Sequence, residues 1–185
     1  MRHKPRAGQE RLGDELLVNV QRVGDDRAAH ALLEAFFAGY PVDRLRVLLD
    51  SENESDVRIG AWIASELGEQ VHQLVPALHG LLSHASRYVR FFALDAMLAA
   101  ATPEFGSELG AGARLINDGD PAVRWKAANF LSDLSKPQLR AAAASVAAES
   151  RDEESVGWLG DMEDALDSRD VADRLHAPER AVRLV

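Results

Sequence analysis

The residues best suited by type to hold a metal ion are three histidines in the middle of the chain. His72 and His79 are seven residues apart, which on a helix places them on one face, and His84 follows five residues later. A protein zinc site takes three or four converging ligands, and the chain contains no cysteine to complete one. We therefore interpret the histidines as surface or half-buried side chains and expect neither a metal nor a cofactor.

Other arrangements that would indicate catalysis are incomplete. Residues 106–110 read Gly-Ser-Glu-Leu-Gly, which lacks the spacing of a nucleophile elbow. Residues 110–112 read Gly-Ala-Gly, without the strand and third glycine of a dinucleotide-binding loop. We interpret these glycines as loose packing or a bend near a helix. The carboxylate pairs at 25–26 and 153–154 suit helix N-termini, so we expect a protein that is not an enzyme.

The composition indicates a helical globular protein with an acidic surface. Of the 185 residues, 46% are hydrophobic, and alanine and leucine, the strongest helix formers, dominate that fraction. The net charge of −9 disfavours binding to nucleic acid, and no run of about 18 apolar residues could cross a membrane. We expect one domain over residues 1–185, cytoplasmic and without a signal peptide, in which residues 1–10 are disordered.

A repeated pattern predicts the fold. Residues 56–61, 88–93 and 122–127 each contain Val-Arg, with an alanine three residues after the arginine. The valines are 32 and 34 residues apart, and a leucine lies eight residues before each. This spacing predicts a unit of two amphipathic helices joined by a short polar turn. The valines are Val57, Val89 and Val123, and the leucines are Leu49, Leu81 and Leu115.

Residues between the predicted helices carry the usual start and stop signals. Asp120 precedes a proline, as an N-cap followed by the first helical position does. Residues 135–138 read Ser-Lys-Pro-Gln, which resembles a capping box. Gly39 and Gly68 lie where helix C-termini favour a left-handed residue.

The pattern weakens towards both ends, as expected of terminal repeats. The clearest repeats cover residues 41–134. Downstream, residues 138–148 form an alanine-rich helix whose predicted partner contains residues 159–166, and residues 169–185 are a tail or a short helix. Upstream, one helical face should contain Leu12, Leu16, Val20 and Val23. Together these segments predict an all-α protein of about five helical hairpins.

Residues 117–128 resemble the inner turn and second helix of a HEAT-like repeat. The resemblance implies a right-handed α-solenoid. It also implies a structural ladder in which turn aspartates pair with second-helix arginines. The ladder residues are Arg58, Arg90, Arg124, Asp118 and Asp120. In its own turn, Arg124 has both aspartates available, and Arg58 has Glu52 and Glu54. Arg90 has only His84 and Ser86, so its partner stays open.

One enzymatic branch resembles this chain as well. HEAT-like DNA alkylpurine glycosylases use a basic concave face with aromatic side chains and an aspartate. The chain has Trp62, Trp125 and Trp158. Its net charge has the wrong sign, however, and its repeated arginines are explained by the ladder.

The second helices predict a binding face opposite the repeated valines. Positions two, five, six and nine residues after each valine share that side of the helix. The resemblance places them on the concave surface, where an apolar column would be a partner site. The alternative is that they pack as core. The predicted site comprises Ile59, Trp62, Ile63, Glu66, Phe91, Leu94, Asp95, Trp125 and Asn129.

The function we expect is protein binding without catalysis. Residues 40–45, 60–68 and 87–95 are similar to segments of small uncharacterised bacterial HEAT-repeat proteins, some of which act as toxin antidotes. The resemblance implies an immunity or inhibitor protein that sequesters a toxin domain, and an acidic surface suits a basic one. A scaffold or regulatory adaptor is the alternative. We expect a monomer or a weak dimer.

Overall fold

The computed structural model describes residues 7–149, and all regular structure in that range is helical, which confirms the all-α prediction. No helix among these residues is long and apolar enough to span a bilayer. The segments predicted at 159–166 and 169–185, and Trp158, lie outside the described residues. The helices are α1 (Ala7–Val23), α2 (Asp26–Phe37), α3 (Arg46–Leu49), α4 (Glu54–Leu67), α5 (Val75–Leu81), α6 (Arg87–Ala100), α7 (Gly106–Arg114), α8 (Pro121–Asp133) and α9 (Lys136–Glu149).

The first helices of the repeats are short, and 3-10 segments precede them. Val42–Leu45 runs into α3, Gly68–Leu74 into α5, and Pro103–Phe105 into α7. A further 3-10 turn, Leu115–Asn117, ends the first helix of the third repeat. Because a 3-10 helix rises more steeply per residue than an α-helix, these segments span a repeat with few residues.

The cap predicted at Asp120 is confirmed, and the Gln138 half of the predicted capping box is formed. The Asp120 carboxylate accepts the N–H groups of Ala122 (2.8 Å) and Val123 (3.4 Å) at the start of α8. The Gln138 side-chain oxygen accepts the N–H of Ser135 at 2.8 Å, which satisfies a donor that the start of α9 leaves free. Gly39 and Gly68 have φ of 101° and 57°. A side chain would strain the backbone there.

The helices contact one another in two rows. Within the described range, α2, α4, α6 and α8 pack in sequence, as do α3, α5, α7 and α9. The successive pairs α1–α2, α3–α4 and α7–α8 also pack together, as do α5 and α6. The repeated valines Val57, Val89 and Val123 are buried between the rows. The spacing that defined the repeat is therefore the spacing of core positions.

The glycines of α7 permit close helix packing, which corrects the expectation of loose packing or a bend. A Cβ atom at Gly106 would lie 3.0 Å from the Ala141 carbonyl oxygen. One at Gly110 would lie 3.0 Å from the Ser145 hydroxyl. These contacts place α7 directly against the backbone of α9, so larger residues would force the helices apart.

The N-terminal helix differs from the sequence prediction in two ways. Residues 7–10 are helical, because α1 begins at Ala7 with Glu10 in its first turn, where an acidic residue favours the helix dipole. Its buried face contains Gly13, Leu17 and Val20, whereas Leu12 and Val23 are exposed. Apolar spacing placed Val20 and the partly buried Leu16 correctly, but it missed Gly13 because a glycine does not register as apolar.

Gly13 has no room for a side chain. A Cβ atom there would overlap the Tyr40 ring. That ring is buried and fixed by a 2.6 Å hydrogen bond from its hydroxyl to Asp14. We expect Gly13→Ala to destabilise the fold by about 1–3 kcal/mol through overpacking. Gly8→Ala, on the same helix with open space around it, should leave the urea midpoint unchanged or raise it.

Candidate functional site

Arg90 joins two repeats. Its Nε and Nη2 donate to the two carboxylate oxygens of Asp118 at 2.7 and 2.8 Å, and its Nη1 donates to the carbonyls of His84 (2.7 Å) and Ala85 (2.9 Å). The Arg90 and Asp118 side chains are only 14% and 7% exposed. The sequence left the partner of Arg90 open because it paired arginines with the turn of their own repeat. The structure shows that the partner lies in the next turn.

The hydrogen bonds around Asp118 lower its pKa. Burial opposes ionisation, but the hydrogen bonds from Arg90 and from the Asp120 N–H outweigh it and hold the Asp118 pKa below its ordinary value. Asp118 is therefore a carboxylate at neutral pH. Its charge is matched by Arg90, which makes the pair a structural connection between repeats.

The other two predicted ladder arginines do not pair as expected. Arg124 donates Nη1 to the carbonyls of Asp118 (2.8 Å) and Gly119 (3.1 Å) instead of to a carboxylate. Asp120 caps α8 and pairs with Arg87 at 3.4 Å. The expected pairing of Arg58 with Glu52 or Glu54 is wrong. No hydrogen bond or ion pair of Arg58 is found within residues 7–149, and its side chain is exposed.

Burial divides the predicted binding face. Ile63 and Leu94 are completely buried, so placing them on the surface was wrong; they belong to the core. Ile59 is 6% exposed and Trp62 is partly buried against the core. Glu66 is exposed. The helix spacing predicted which side of the helix these residues occupy. It did not predict how far a neighbouring helix covers that side.

An aromatic pair crosses from α6 to α8. The Phe91 and Trp125 rings are stacked with centroids 6.5 Å apart and planes 11° apart. Trp125 is 60% exposed. Lys126 lies with its Nζ 5.0 Å from the Phe91 ring centroid and forms an ion pair with Asp95. Trp125 is therefore the exposed member of the pair, and the Phe91 ring beside it is half-buried.

Tyr88 extends this surface at the start of α6. Its ring is 49% exposed and lies beneath the Arg87 guanidinium, whose carbon is 4.8 Å from the ring centroid. The Arg87 Nη2 also donates to the Tyr88 hydroxyl at 2.9 Å. We call Tyr88, Phe91 and Trp125 the aromatic patch. Asn129, also predicted for the site, is partly exposed on α8.

A groove of about 570 Å³ runs beside the aromatic patch, across α2, α4 and α6. Its size is in the range of small-ligand and side-chain sites. The His30 and Trp62 rings meet edge to face within it, with centroids 4.8 Å apart. The groove is lined by Asp26, Ala29, His30, Leu33, Arg58, Ile59, Trp62, Glu66, Tyr88 and Phe92.

The three central histidines do not converge. The His72 ring contacts the Ala100 carbonyl oxygen at 3.0 Å, and its Nε2 lies 3.5 Å from Glu104. The His84 Nδ1 accepts the Ser86 N–H at 3.0 Å. Among the described residues, no group of three potential ligands could hold a metal ion.

Several residues of this surface were not predicted. His30, Tyr88 and Phe92 line the groove, and Lys126 supports the patch. One side of the groove is formed by α2. That helix lacks the Val-Arg pattern of the later repeats, so the sequence did not indicate which way His30 faces. The one sequence signal for Lys126 was its position next to Trp125. Lys126 contacts Phe91 and Asp95 of the preceding repeat.

Comparisons with known proteins bear on the fold alone. No protein-family model matches the chain, and no curated protein matches it. The crystal structure of an engineered protein is similar, with a TM-score of 0.50 and 15% sequence identity over 95% of this chain and 87% of that chain. At that identity the similarity supports the helical fold and carries no information about function.

Proposed function

We propose that the protein is a right-handed HEAT-like solenoid that binds another protein without catalysis, through the aromatic patch and the adjoining groove. The observation that carries this proposal is the stacked pair of Phe91 and a Trp125 that is 60% exposed. Tryptophan and tyrosine are the residues most enriched among interface positions that dominate binding energy. The row formed by α2, α4, α6 and α8 supports the solenoid arrangement.

The patch is organised before any partner arrives. Stacking restricts the Trp125 ring, and the Lys126–Asp95 ion pair fixes the cation that lies beside Phe91. Binding therefore immobilises few additional rotamers, and each immobilised side chain would otherwise cost about 0.5–1.5 kcal/mol. A rigid aromatic surface beside a groove favours a specific complex over transient contact.

The partner we propose is a basic protein domain, and the resemblance to small bacterial HEAT-repeat proteins that act as toxin antidotes makes a toxin the leading candidate. The chain carries a net charge of −9. Complementary charge accelerates association and excludes like-charged partners. An immunity protein would act in the cytoplasm as a monomer or weak dimer, occluding the toxin rather than modifying it.

Co-expression with the product of the neighbouring gene tests this proposal. If that gene encodes a toxin, the wild-type chain should restore growth and co-purify with the toxin domain. The complex should weaken as salt rises, because its charge attraction is screened. Growth rescue without co-purification would contradict sequestration. Co-purification with a protein that is harmless when expressed alone would support the scaffold or adaptor alternative instead.

A further inference from the structure

Arg58 departs from its two equivalents in the repeat. Arg90 and Arg124 each donate Nη1 to the carbonyls six and five residues earlier, which anchors both guanidinium groups to the preceding turn. The equivalent carbonyls before Arg58 belong to Glu52 and Asn53. Within residues 7–149, neither receives such a bond, and the Arg58 side chain lines the groove instead.

Among the described residues, the ladder position that would pair with Arg58 does not hold a carboxylate. Asp118, the partner of Arg90, accepts the N–H of the residue two positions later, Asp120, at 2.8 Å. His84 accepts the N–H of Ser86 in the same way at 3.0 Å. His84 therefore occupies the position of Asp118 one repeat earlier, and it provides a ring nitrogen where a carboxylate would be needed.

We infer that Arg58 binds a carboxylate on a side chain of the protein partner, so that the partner supplies the missing member of the ladder. This inference rests on the proposed function. A free guanidinium presents a planar fork of donors that matches a carboxylate in two parallel bonds. Ile59 and Trp62 provide an apolar surface beside it for the stem of the side chain.

The other charges of the groove fix where the carboxylate binds. Glu66 is eight residues along α4 from Arg58, about 12 Å away at 1.5 Å per residue. Asp26 lines the same groove but does not reach ion-pair distance of Arg58. Asp26 and Glu66 would repel an anion elsewhere in the groove. A carboxylate is therefore favoured only beside the guanidinium, and an otherwise basic partner remains compatible with both acidic residues.

Binding of 3-phenylpropionate, followed by chemical-shift changes in the ¹⁵N-labelled full chain, tests this inference without a partner. We expect a Kd on the order of a millimolar, with the largest changes at Arg58, Ile59 and the Trp62 indole. The neutral 3-phenylpropionamide should bind roughly tenfold more weakly, because it has no charge for Arg58. Inorganic phosphate should bind more weakly than the phenyl acid, because it makes no apolar contact.

Three variants locate the effect. Arg58→Gln should abolish the preference for acid over amide, whereas Arg11→Gln, which removes an exposed charge that pairs with Glu15 on α1, should retain it. His84→Asp should supply the missing carboxylate within the chain and weaken 3-phenylpropionate binding. The melting temperature of each variant, measured alongside, shows that the fold is intact.

Equal binding of acid and amide, tighter binding of phosphate, or an unchanged preference in Arg58→Gln would overturn the inference. These outcomes concern the groove alone, because no partner is present. Failure to capture any protein would instead count against the proposed function, so the two failures are distinguishable.

Discussion

Replacing Arg90 with alanine should cost about 3–5 kcal/mol of folding stability, the amount expected when one member of a buried ion pair is removed. Both side chains of the Arg90–Asp118 pair are largely buried, and two further carbonyls lose their donor. Asp118 would then hold a charge without a counter-ion. Urea unfolding at neutral pH measures the loss.

Arg87→Ala is the matched control, because Arg87 is on the same helix and also pairs with an aspartate of the next turn. Its side chain is 52% exposed and its ion pair is longer, at 3.4 Å. An exposed pair contributes at most about 1 kcal/mol. Equal urea midpoints for the two variants would show that the Arg90–Asp118 pair does not connect the repeats.

Acid should reduce the difference in folding stability between the wild-type protein and Arg90→Ala. Since the pKa of Asp118 is lowered in the folded state, its contribution is complete above the ordinary pKa of 3.8 and is lost as pH falls through the folded value. The variant lacks the main bond that lowers this pKa. The difference between the two urea midpoints should therefore shrink as pH falls below 3.8, and a constant difference would contradict the role of Asp118.

Trp125→Ala should leave the fold nearly intact and weaken partner binding at least about thirtyfold. The side chain is 60% exposed, so its removal creates no internal cavity. Truncating a dominant interface residue costs about 2 kcal/mol or more, which corresponds to that loss of affinity. Calorimetric titration of the captured partner measures binding, and thermal unfolding measures the fold.

Phe37→Ala is the control for Trp125→Ala. Phe37 is an aromatic residue of comparable exposure, 52%, at the end of α2 and outside the groove lining. It should bind the partner like wild type. If Trp125→Ala instead melted early, the aromatic pair would be packing rather than interface. If both variants bound normally, the patch would not contact the partner.

Local spacing predicted much of the fold. The Val57, Val89 and Val123 period identified buried positions correctly, and Asp120 and Gly68 marked a helix start and a helix end as expected. These signals depend on the backbone conformation and on which face of a single helix a residue occupies. Both are determined by residues close together in the chain, so they can be predicted from the sequence.

Contacts between repeats were harder to predict from the sequence. Ile63 and Leu94 are on the predicted side of their helices but lie beneath neighbours, and one helix alone does not define how deeply the next helix covers it. Arg90 pairs with Asp118, 28 residues away, which depends on how the repeats stack. Arg58 has the same sequence motif as Arg90 and a different environment, because the residue at the Asp118 position of its neighbour is His84.

Oxidative footprinting of the complex tests the location of the interface most directly. Exposed aromatic and aliphatic side chains would be oxidised by hydroxyl radicals in the free chain and in its complex with the captured partner. We predict that Trp125, Tyr88 and Phe91 become protected in the complex, while the exposed Val18 and Val47, on α1 and α3, react as before. Protection of Val18 and Val47 with unchanged oxidation of the aromatic patch would contradict the proposed binding surface.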